Sequence, residues 1–271
     1  MCLITSLLVS SLIALLYVGS LYCWPNQAHR DNPTTIKRRF LSVFVAIIIS
    51  TIVLVVFNDD YRLISLATSL GLVWPQDYTI GQIIIECIFL PLLQTSVLFM
   101  GPIIISLSQT GDYCFNYRYM VSAMDLMVIR NYIIAPITEE IIFRAVLSAI
   151  LVQCWPLTAT LAISSLLFGF AHSHHYLFEI NDIRSSQRHH PKRTLWLAIE
   201  QMTYTSLFGF YASLLYFRSQ HIVTPILVHS YCNLMGFPDI QSIMSSKWSL
   251  TVTAIGFGLW LVSLVIVYIH L

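Results

Sequence analysis

Long apolar runs separated by short polar segments dominate the pattern of hydrophobic and polar positions. The pattern predicts about eight helical spans, most of them near the roughly 18 apolar residues that a bilayer crossing requires. These spans lie at roughly 1–23, 40–57, 80–107, 124–150, 155–172, 195–217, 222–236 and 249–271. The first run lacks a basic n-region and a cleavage site, so we expect it to be retained as a span. The apolar stretch at 63–74 is too short to cross the bilayer, and a re-entrant segment is the alternative.

Composition places the chain in the bilayer. It is 57% hydrophobic and only 10% charged, whereas soluble globular proteins carry roughly 25% charged residues. We therefore predict an all-α, polytopic integral membrane protein. No internal repeat is visible, which favours a single membrane domain over residues 1–271. The formal charge of +1 indicates no nucleic-acid partner.

The spacing of the cysteines predicts no disulfide bonds and no zinc site. The six cysteines are scattered and include no CxxC pair. This spacing predicts neither a disulfide framework nor a zinc knuckle, and it favours small buried hydrophobic side chains.

Lysine and arginine predict the orientation. Basic residues concentrate in the loops 24–39 and 174–194, which fall on the same side of an eight-span chain. The positive-inside rule makes that side cytosolic, so both termini are expected to face the lumen or the exterior.

Ionisable groups inside a span are costly and are functional hypotheses by default. The segment 135–151 carries Glu139, Glu140 and Arg144 within an apolar run. Glu140 and Arg144 are four positions apart and share a helix face, whereas adjacent residues point about 100° apart. We expect Arg144 to hold Glu140, and Glu139 to face a cavity as a general base. The alternative is a buried ion network that only ties helices together.

A second polar cluster ends an apolar helix at 168–175, in the sequence FGFAHSHH. His172 is the deepest of its three histidines and the best candidate for chemistry, whereas His174 and His175 are expected at the interface. The alternative is a histidine that is simply hydrogen-bonded.

A third cluster lies at 224–238. His229 and Asn233 are four positions apart on one face of a short helix. Two neutral donors one turn apart suit a developing oxyanion. The alternative is a polar clamp between helices.

Together the three clusters supply a base, a residue that orients water and a pair of oxyanion donors. The chain lacks GxSxG and HExxH motifs, so hydrolysis by an activated water is the reaction class that fits. Two alternatives from other classes are a polytopic transporter and a non-catalytic scaffold with a buried polar network. Four other charged residues in apolar segments are not expected to be catalytic: Glu86, Asp125, Arg130 and Glu200.

The motifs EExxxR, FxxxH and HxxxN occur in the order and approximate spacing of the CAAX prenyl endopeptidases, and the chain resembles their type II, eukaryotic Ras-converting branch. The resemblance is carried by APITEEIIFRA, FGFAHSHH and HSYCNLMGFP and extends over about 131–240, the expected catalytic core. It implies a cavity open to the cytosol, in the endoplasmic reticulum membrane. The implied substrates are farnesylated or geranylgeranylated CAAX proteins such as small GTPases.

The resemblance also implies roles for individual residues. Glu139 and His172 would activate the hydrolytic water, His229 and Asn233 would stabilise the oxyanion, and Glu140 and Arg144 would support them. A zinc site built from Glu139, His172 and His229 is conceivable. We favour a metal-free mechanism with no cofactor, because His229 and Asn233 make sense as a donor pair.

Overall fold

The computed structural model describes residues 2–25, 29–57, 63–110, 125–173, 191–237 and 240–269, and every regular element within them is helical. The chain forms two compact units. Unit 1 contains Met1–Leu72 and Thr138–Ser213, and unit 2 contains Val73–Ile137 and Leu214–Leu271. The helices are α1 (Cys2–Ser20), α2 (Pro33–Phe57), α3 (Leu63–Ser69), α4 (Ile80–Leu98), α5 (Met100–Thr110), α6 (126–151), α7 (Leu157–His172), α8 (Pro191–Ser219), α9 (Val223–Met235), α10 (Ile240–Met244) and α11 (Lys247–Ile269).

The helices confirm the predicted all-α membrane protein. Among the described residues, four helices are long and apolar enough to cross a membrane: α1, α2, α4 and α11. The predicted total of about eight spans stays a prediction. The short segment at 63–74 forms only α3, which ends at Ser69, and its re-entrant path also stays a prediction. His174 and His175 lie outside the described residues.

In unit 1, α1 presents its polar side inward. Ser6 and Ser10 are completely buried, whereas Ile4 and Leu12 are 69% and 64% exposed. The buried positions of α1 follow the helical period: Ser6, Ser10, Ile13, Ala14 and Tyr17. This arrangement would be unstable in water, but membrane helices pack through small and hydroxyl-bearing residues and leave leucine and isoleucine to lipid.

Two of the cysteines correct the sequence prediction. Cys2 and Cys154 form a disulfide with their Cα atoms 5.8 Å apart. The indole of Trp155 donates a hydrogen bond to Ser6 Oγ, 3.1 Å away, beside this link. The pairing was not predictable because it depends on how α1 packs in unit 1, and the spacing of the cysteines carries no trace of that packing. Cys87 is buried as expected.

Small residues bring α7 and α8 into close contact within unit 1. A Cβ atom at Gly169 would lie 2.7 Å from the Met202 carbonyl oxygen, and it would also collide with Ser206. A Cβ atom at Gly209 would lie 3.2 Å from the Cα atom of Ser165. Glycine and serine therefore allow the two backbones to approach, and α7 carries His172 at its end.

Unit 2 is held by polar contacts between apolar helices. Gln94 of α4 donates to Ser263 Oγ of α11 over 2.7 Å, and Thr224 of α9 donates to the Cys87 carbonyl over 2.8 Å. Near one end of α4, Arg218 lies 3.1 Å from Glu86. Such contacts satisfy side chains that lipid cannot solvate.

We predict that Gly169→Ala destabilises the protein by about 1–3 kcal/mol, because the added methyl overpacks a backbone contact. Thermal unfolding of the purified protein in detergent should show a lower midpoint. Gly19→Ala is the matched control, since a Cβ atom there meets nothing within 4 Å. An equal loss in both variants would contradict the assigned close contact.

Candidate active site

The helix that carries the first motif, α6, alternates between α and π geometry. It has π-helical segments at Arg130–Ile134 and Ile141–Val146, with α-helical Ala135–Glu140 between them. Pro136 lacks an N–H group and cannot continue the ladder of hydrogen bonds, which is consistent with the wide turn before it. π-Helical turns are frequent at functional sites. Glu139 and Glu140 end the α-helical segment, at the junction with the second π turn.

Glu140 and Arg144 form a buried ion pair. Arg144 Nε lies 3.0 Å from Glu140 Oε2, and the side chains are 1% and 0% exposed. The predicted pairing of these residues is confirmed. A buried charge without a partner costs several kcal/mol, so each side chain depends on the other to be tolerated.

Aromatic rings enclose the guanidinium group of Arg144. Its central carbon lies 4.1 Å from the centre of the Phe168 ring and 5.7 Å from that of Phe208. Phe143 also meets Phe168 edge-on, with ring centres 5.1 Å apart. These rings exclude water from the ion pair and attract the cation through their faces. The motif on α6 therefore packs directly on the phenylalanine of the motif on α7.

Glu139 points away from the ion pair, as the division of the two glutamates predicted, and it lies near His172. Glu139 Oε2 lies 3.6 Å from His172 Nε2, and the two side chains are 17% and 19% exposed. Both are thus more accessible than the neighbouring ion pair. The distance is too long for a good direct hydrogen bond.

The backbone fixes the tautomer of His172. Its Nδ1 atom lies 2.9 Å from the Phe168 carbonyl oxygen. A carbonyl oxygen only accepts, so Nδ1 carries a hydrogen and donates it. In the neutral ring Nε2 then holds a lone pair, and this atom lies 3.6 Å from Glu139 Oε2. Two acceptors that face each other need hydrogen between them, from a proton on either group or from a bridging water.

His229 and Asn233 both lie on α9, in unit 2. His229 is buried. Asn233 is exposed, and its Nδ2 atom donates to the Asn131 carbonyl over 2.9 Å. An amide nitrogen carries two hydrogens, so this bond occupies one of them. Their role as oxyanion donors stays a prediction.

The other charged residues have structural surroundings. Glu86 is paired with Arg218 in unit 2. Asp125 caps α6 by accepting from the backbone N–H groups of Met127 and Val128. These contacts explain the charges without catalysis. In the remaining two cases, Arg130 Nε donates to Asn131 Oδ1, and Glu200 is exposed on α8.

Sequence reasoning missed two residues that touch the motif helix in unit 1. The hydroxyl of Tyr17 on α1 lies 2.9 Å from Thr138 Oγ1, next to Glu139. Phe208 on α8 faces Arg144. Both belong to apolar runs far from the motifs in sequence. The first span, 1–23, contains two tyrosines, and this signal is weak because tyrosine is common near membrane interfaces.

Comparison with known proteins identifies the family. A model of Rce1-like type II CAAX prenyl endopeptidases matches residues 122–235. CAAX prenyl protease 2 of Homo sapiens is 32% identical over 263 residues, which cover 93% of this chain and 78% of that protein. The chain belongs to the type II CAAX prenyl endopeptidase family. CAAX prenyl protease 2 of Caenorhabditis elegans is 28% identical over 240 residues, covering 85% of this chain and 83% of the relative. No solved structure gives a significant match.

Membership of the type II CAAX prenyl endopeptidases favours the peptidase hypothesis over the transporter and scaffold alternatives. The matched segment covers nearly all of the expected catalytic core at 131–240. Within the described parts of the chain, no group of three or more His, Cys, Asp or Glu side chains is placed to hold a metal ion. The metal-free mechanism stays a prediction.

We predict that Arg144→Gln destabilises this endopeptidase by about 3–5 kcal/mol, because it leaves the Glu140 carboxylate buried without a counter-charge. The double variant Glu140→Gln/Arg144→Gln removes both charges and should recover a large part of that loss. Thermal unfolding midpoints of wild type, both single variants and the double variant test this. Purely additive losses would contradict a mutually dependent pair.

Proposed function

We propose that this protein is an intramembrane endopeptidase that removes the last three residues of prenylated CAAX proteins by means of an activated water. The observation that carries the proposal is the Glu139 carboxylate facing His172 Nε2 at 3.6 Å, with the ring held by the Phe168 carbonyl. Family membership supplies the reaction class, and this contact supplies a place for the water.

A water molecule to one side of this pair can bridge the two acceptors. It has two hydrogens, and it can donate one to the Glu139 carboxylate and the other to His172 Nε2. Its oxygen lone pairs then point away from both groups and towards an incoming carbonyl carbon. Holding the water in this orientation replaces the random collisions of free solution with a preset geometry.

In the proposed reaction Glu139 acts as the general base. It takes a proton from the water while the water oxygen bonds to the carbonyl carbon of the prenylcysteine, and the carbonyl electron pair moves to oxygen. The tetrahedral intermediate then collapses and breaks the C–N bond. Protonated Glu139 returns its proton to the departing nitrogen, which leaves as the amino terminus of the tripeptide.

We assign the oxyanion role to His229 and Asn233 on the basis of the family motifs. Both are neutral donors, and each offers an N–H group to the negative oxygen of the intermediate. Loss of one oxyanion donor typically costs about 10²–10³ in kcat. Glu140 and Arg144 support the reaction indirectly, by fixing the helix that carries Glu139.

The proposed substrates are farnesylated or geranylgeranylated proteins such as small GTPases. Each methylene of a prenyl chain that leaves water gains about 0.8 kcal/mol, so the lipid stays in the bilayer. It can enter an apolar cavity of the protein directly from the bilayer without passing through water. The peptide portion must reach water for hydrolysis. The side chains of Glu139 and His172 are partly exposed, although the Oε2 atom of Glu139 is itself buried.

We propose that the protein lies in the endoplasmic reticulum membrane with its active site facing the cytosol. The basic loops at 24–39 and 174–194 support a cytosolic location for that side. The Cys2–Cys154 disulfide supports a lumenal location for the opposite end of α1, because disulfides persist in oxidising compartments. These two lines of support are independent.

The central test is cleavage of a farnesylated CAAX peptide by the purified protein in lipid. Wild type should release the tripeptide, and an unprenylated peptide should stay intact. Glu139→Gln and His172→Ala should abolish release while leaving the unfolding midpoint within a few degrees of wild type. Asn233→Ala should lower kcat about 10²–10³-fold with little change in KM.

Two outcomes would overturn this mechanism. Cleavage that survives either the Glu139 or the His172 substitution would exclude the proposed base pair. Loss of activity with a strong chelator, restored by added zinc, would replace the metal-free mechanism with a metal-dependent one.

We predict that a membrane-impermeant maleimide, added to sealed microsomes, labels Cys23, which is exposed beyond the end of α1. Cys2 and Cys154 should be labelled only after reduction and permeabilisation. Peptide mass spectrometry locates the label, and buried Cys87 serves as the unlabelled control. Labelling of Cys2 or Cys154 in vesicles that have been reduced but remain sealed would contradict the proposed orientation.

A further inference from the structure

Tyr17 lies beside the catalytic segment but outside the family-model match at 122–235. It sits on the buried face of α1 and is 6% exposed. Its hydroxyl lies 2.9 Å from Thr138 Oγ1, and both atoms belong to unit 1. Thr138 is itself 1% exposed and immediately precedes Glu139. Thr138, the residue before the proposed base Glu139, therefore contacts α1, a helix more than a hundred residues earlier in the sequence.

Tyr17 contacts both sides of the junction between α and π geometry in α6. Its hydroxyl reaches Thr138 in the α-helical segment. Its ring meets Phe143 edge-on in the π-helical segment, with ring centres 5.9 Å apart and planes at 84°. A π turn is an uncommon geometry that usually needs support from its surroundings. Glu139 and Glu140 lie between the two contact points, so one side chain braces the turn that carries both.

The position of Tyr17 is itself fixed from the other end of α1. Cys2 is bonded to Cys154, and Tyr17 meets Thr138, so α1 runs antiparallel to the second part of α6. Cys2 and Tyr17 lie about 22 Å apart along α1, at a rise of 1.5 Å per residue, and Cys154 lies just after α6 ends at Leu151. A contact near each end of α1 therefore holds this helix in register, and a sliding motion would break both contacts. The tyrosine hydroxyl is thus presented to Thr138 by a restrained helix.

We propose that Tyr17 is a positioning residue of the peptidase reaction, acting through Thr138 to set the rotation of the turn that points Glu139 at His172. The inference rests on the proposed function of Glu139 and His172. Tyr17 does not touch the reacting atoms in this role. It holds Glu139 Oε2 and His172 Nε2 close together, 3.6 Å apart, so that one water to the side of the pair can reach both.

A positioning role predicts a particular kinetic signature. Misplacement of a reacting group by about 1 Å can reduce the rate a hundredfold without weakening substrate binding. Tyr17→Phe keeps the aromatic ring on Phe143 and removes only the hydroxyl. Thr138 can then turn its hydroxyl to a carbonyl of the preceding turn, so the variant should fold. We expect kcat to fall about 5- to 20-fold, with KM within twofold of wild type.

The experiment measures kcat and KM for release of the tripeptide from a farnesylated CAAX peptide, together with the thermal midpoint of each variant in the same lipid. The variants are Tyr17→Phe, Thr138→Val, their double combination and Thr138→Ser. If the two hydroxyls act through one bond, the double variant should lose no more activity than either single variant. Thr138→Ser keeps the hydroxyl and should retain kcat within about threefold.

Ser213→Ala is the matched control. Ser213 Oγ lies 3.3 Å from Ser164 Oγ, a buried pair of hydroxyls between α7 and α8 in the same unit. Ser164 is about two helical turns before His172 on α7. Ser213→Ala should lower the thermal unfolding midpoint as much as Tyr17→Phe does and leave kcat within twofold of wild type.

Several results would overturn the inference. They are a kcat for Tyr17→Phe within twofold of wild type, an equal loss in Ser213→Ala, and additive losses in the double variant. In each case an active wild type leaves the proposed function standing. A wild type that releases no tripeptide from the prenylated peptide overturns the proposed function, and this inference fails with it.

Discussion

The buried Glu140–Arg144 ion pair is the interaction on which the arrangement of α6 within unit 1 depends, and the contact from Tyr17 to Thr138 holds the same turn from the side of α1. Neither lipid nor a packed interior solvates an isolated charge, so these two side chains must face each other and be enclosed together. Their pairing at 3.0 Å commits one face of α6 to the interior. Glu139 immediately precedes Glu140 and points about 100° away from it. The direction in which Glu139 faces therefore follows from a pair that does not include it.

Phe168 connects the first two motifs physically. Its ring covers the guanidinium group of Arg144, and its carbonyl oxygen accepts from His172 Nδ1. One residue thus stabilises the ion pair on α6 and selects the tautomer of the histidine on α7. The spacing of FxxxH follows from this arrangement, because a histidine four residues later can reach back to the carbonyl of the preceding turn. The close contact at Gly169 keeps α7 against α8 beside this point.

Sequence patterns were informative where the rule is local. Most helices followed from apolar runs, although the span predicted at 80–107 is divided into α4 and α5 and α2 begins at Pro33 rather than at 40. The separate positions of Glu139 and Glu140 followed from helical angles. Contacts between distant segments were beyond such rules. The Cys2–Cys154 bond and the Tyr17–Thr138 contact each join α1 to residues more than a hundred positions away, and α1 looks like an ordinary apolar span. The bond from Asn233 to the Asn131 carbonyl was equally hidden, because a backbone carbonyl carries no sequence signal.

Side-chain exposure differs between Glu140 and Glu139 on one turn of α6, and hydrolysis in a membrane depends on water reaching one of the two. The ion pair is 0–1% exposed, whereas Glu139 and His172 are 17% and 19% exposed. A completely dry carboxylate would have no water to activate, and a fully hydrated one would not hold a single water in place. Aromatic rings around Arg144 exclude solvent from one side of the turn, and partial exposure admits it on the other. Two adjacent glutamates can therefore serve opposite purposes, because the helix directs one to the buried side and the other to the more accessible side.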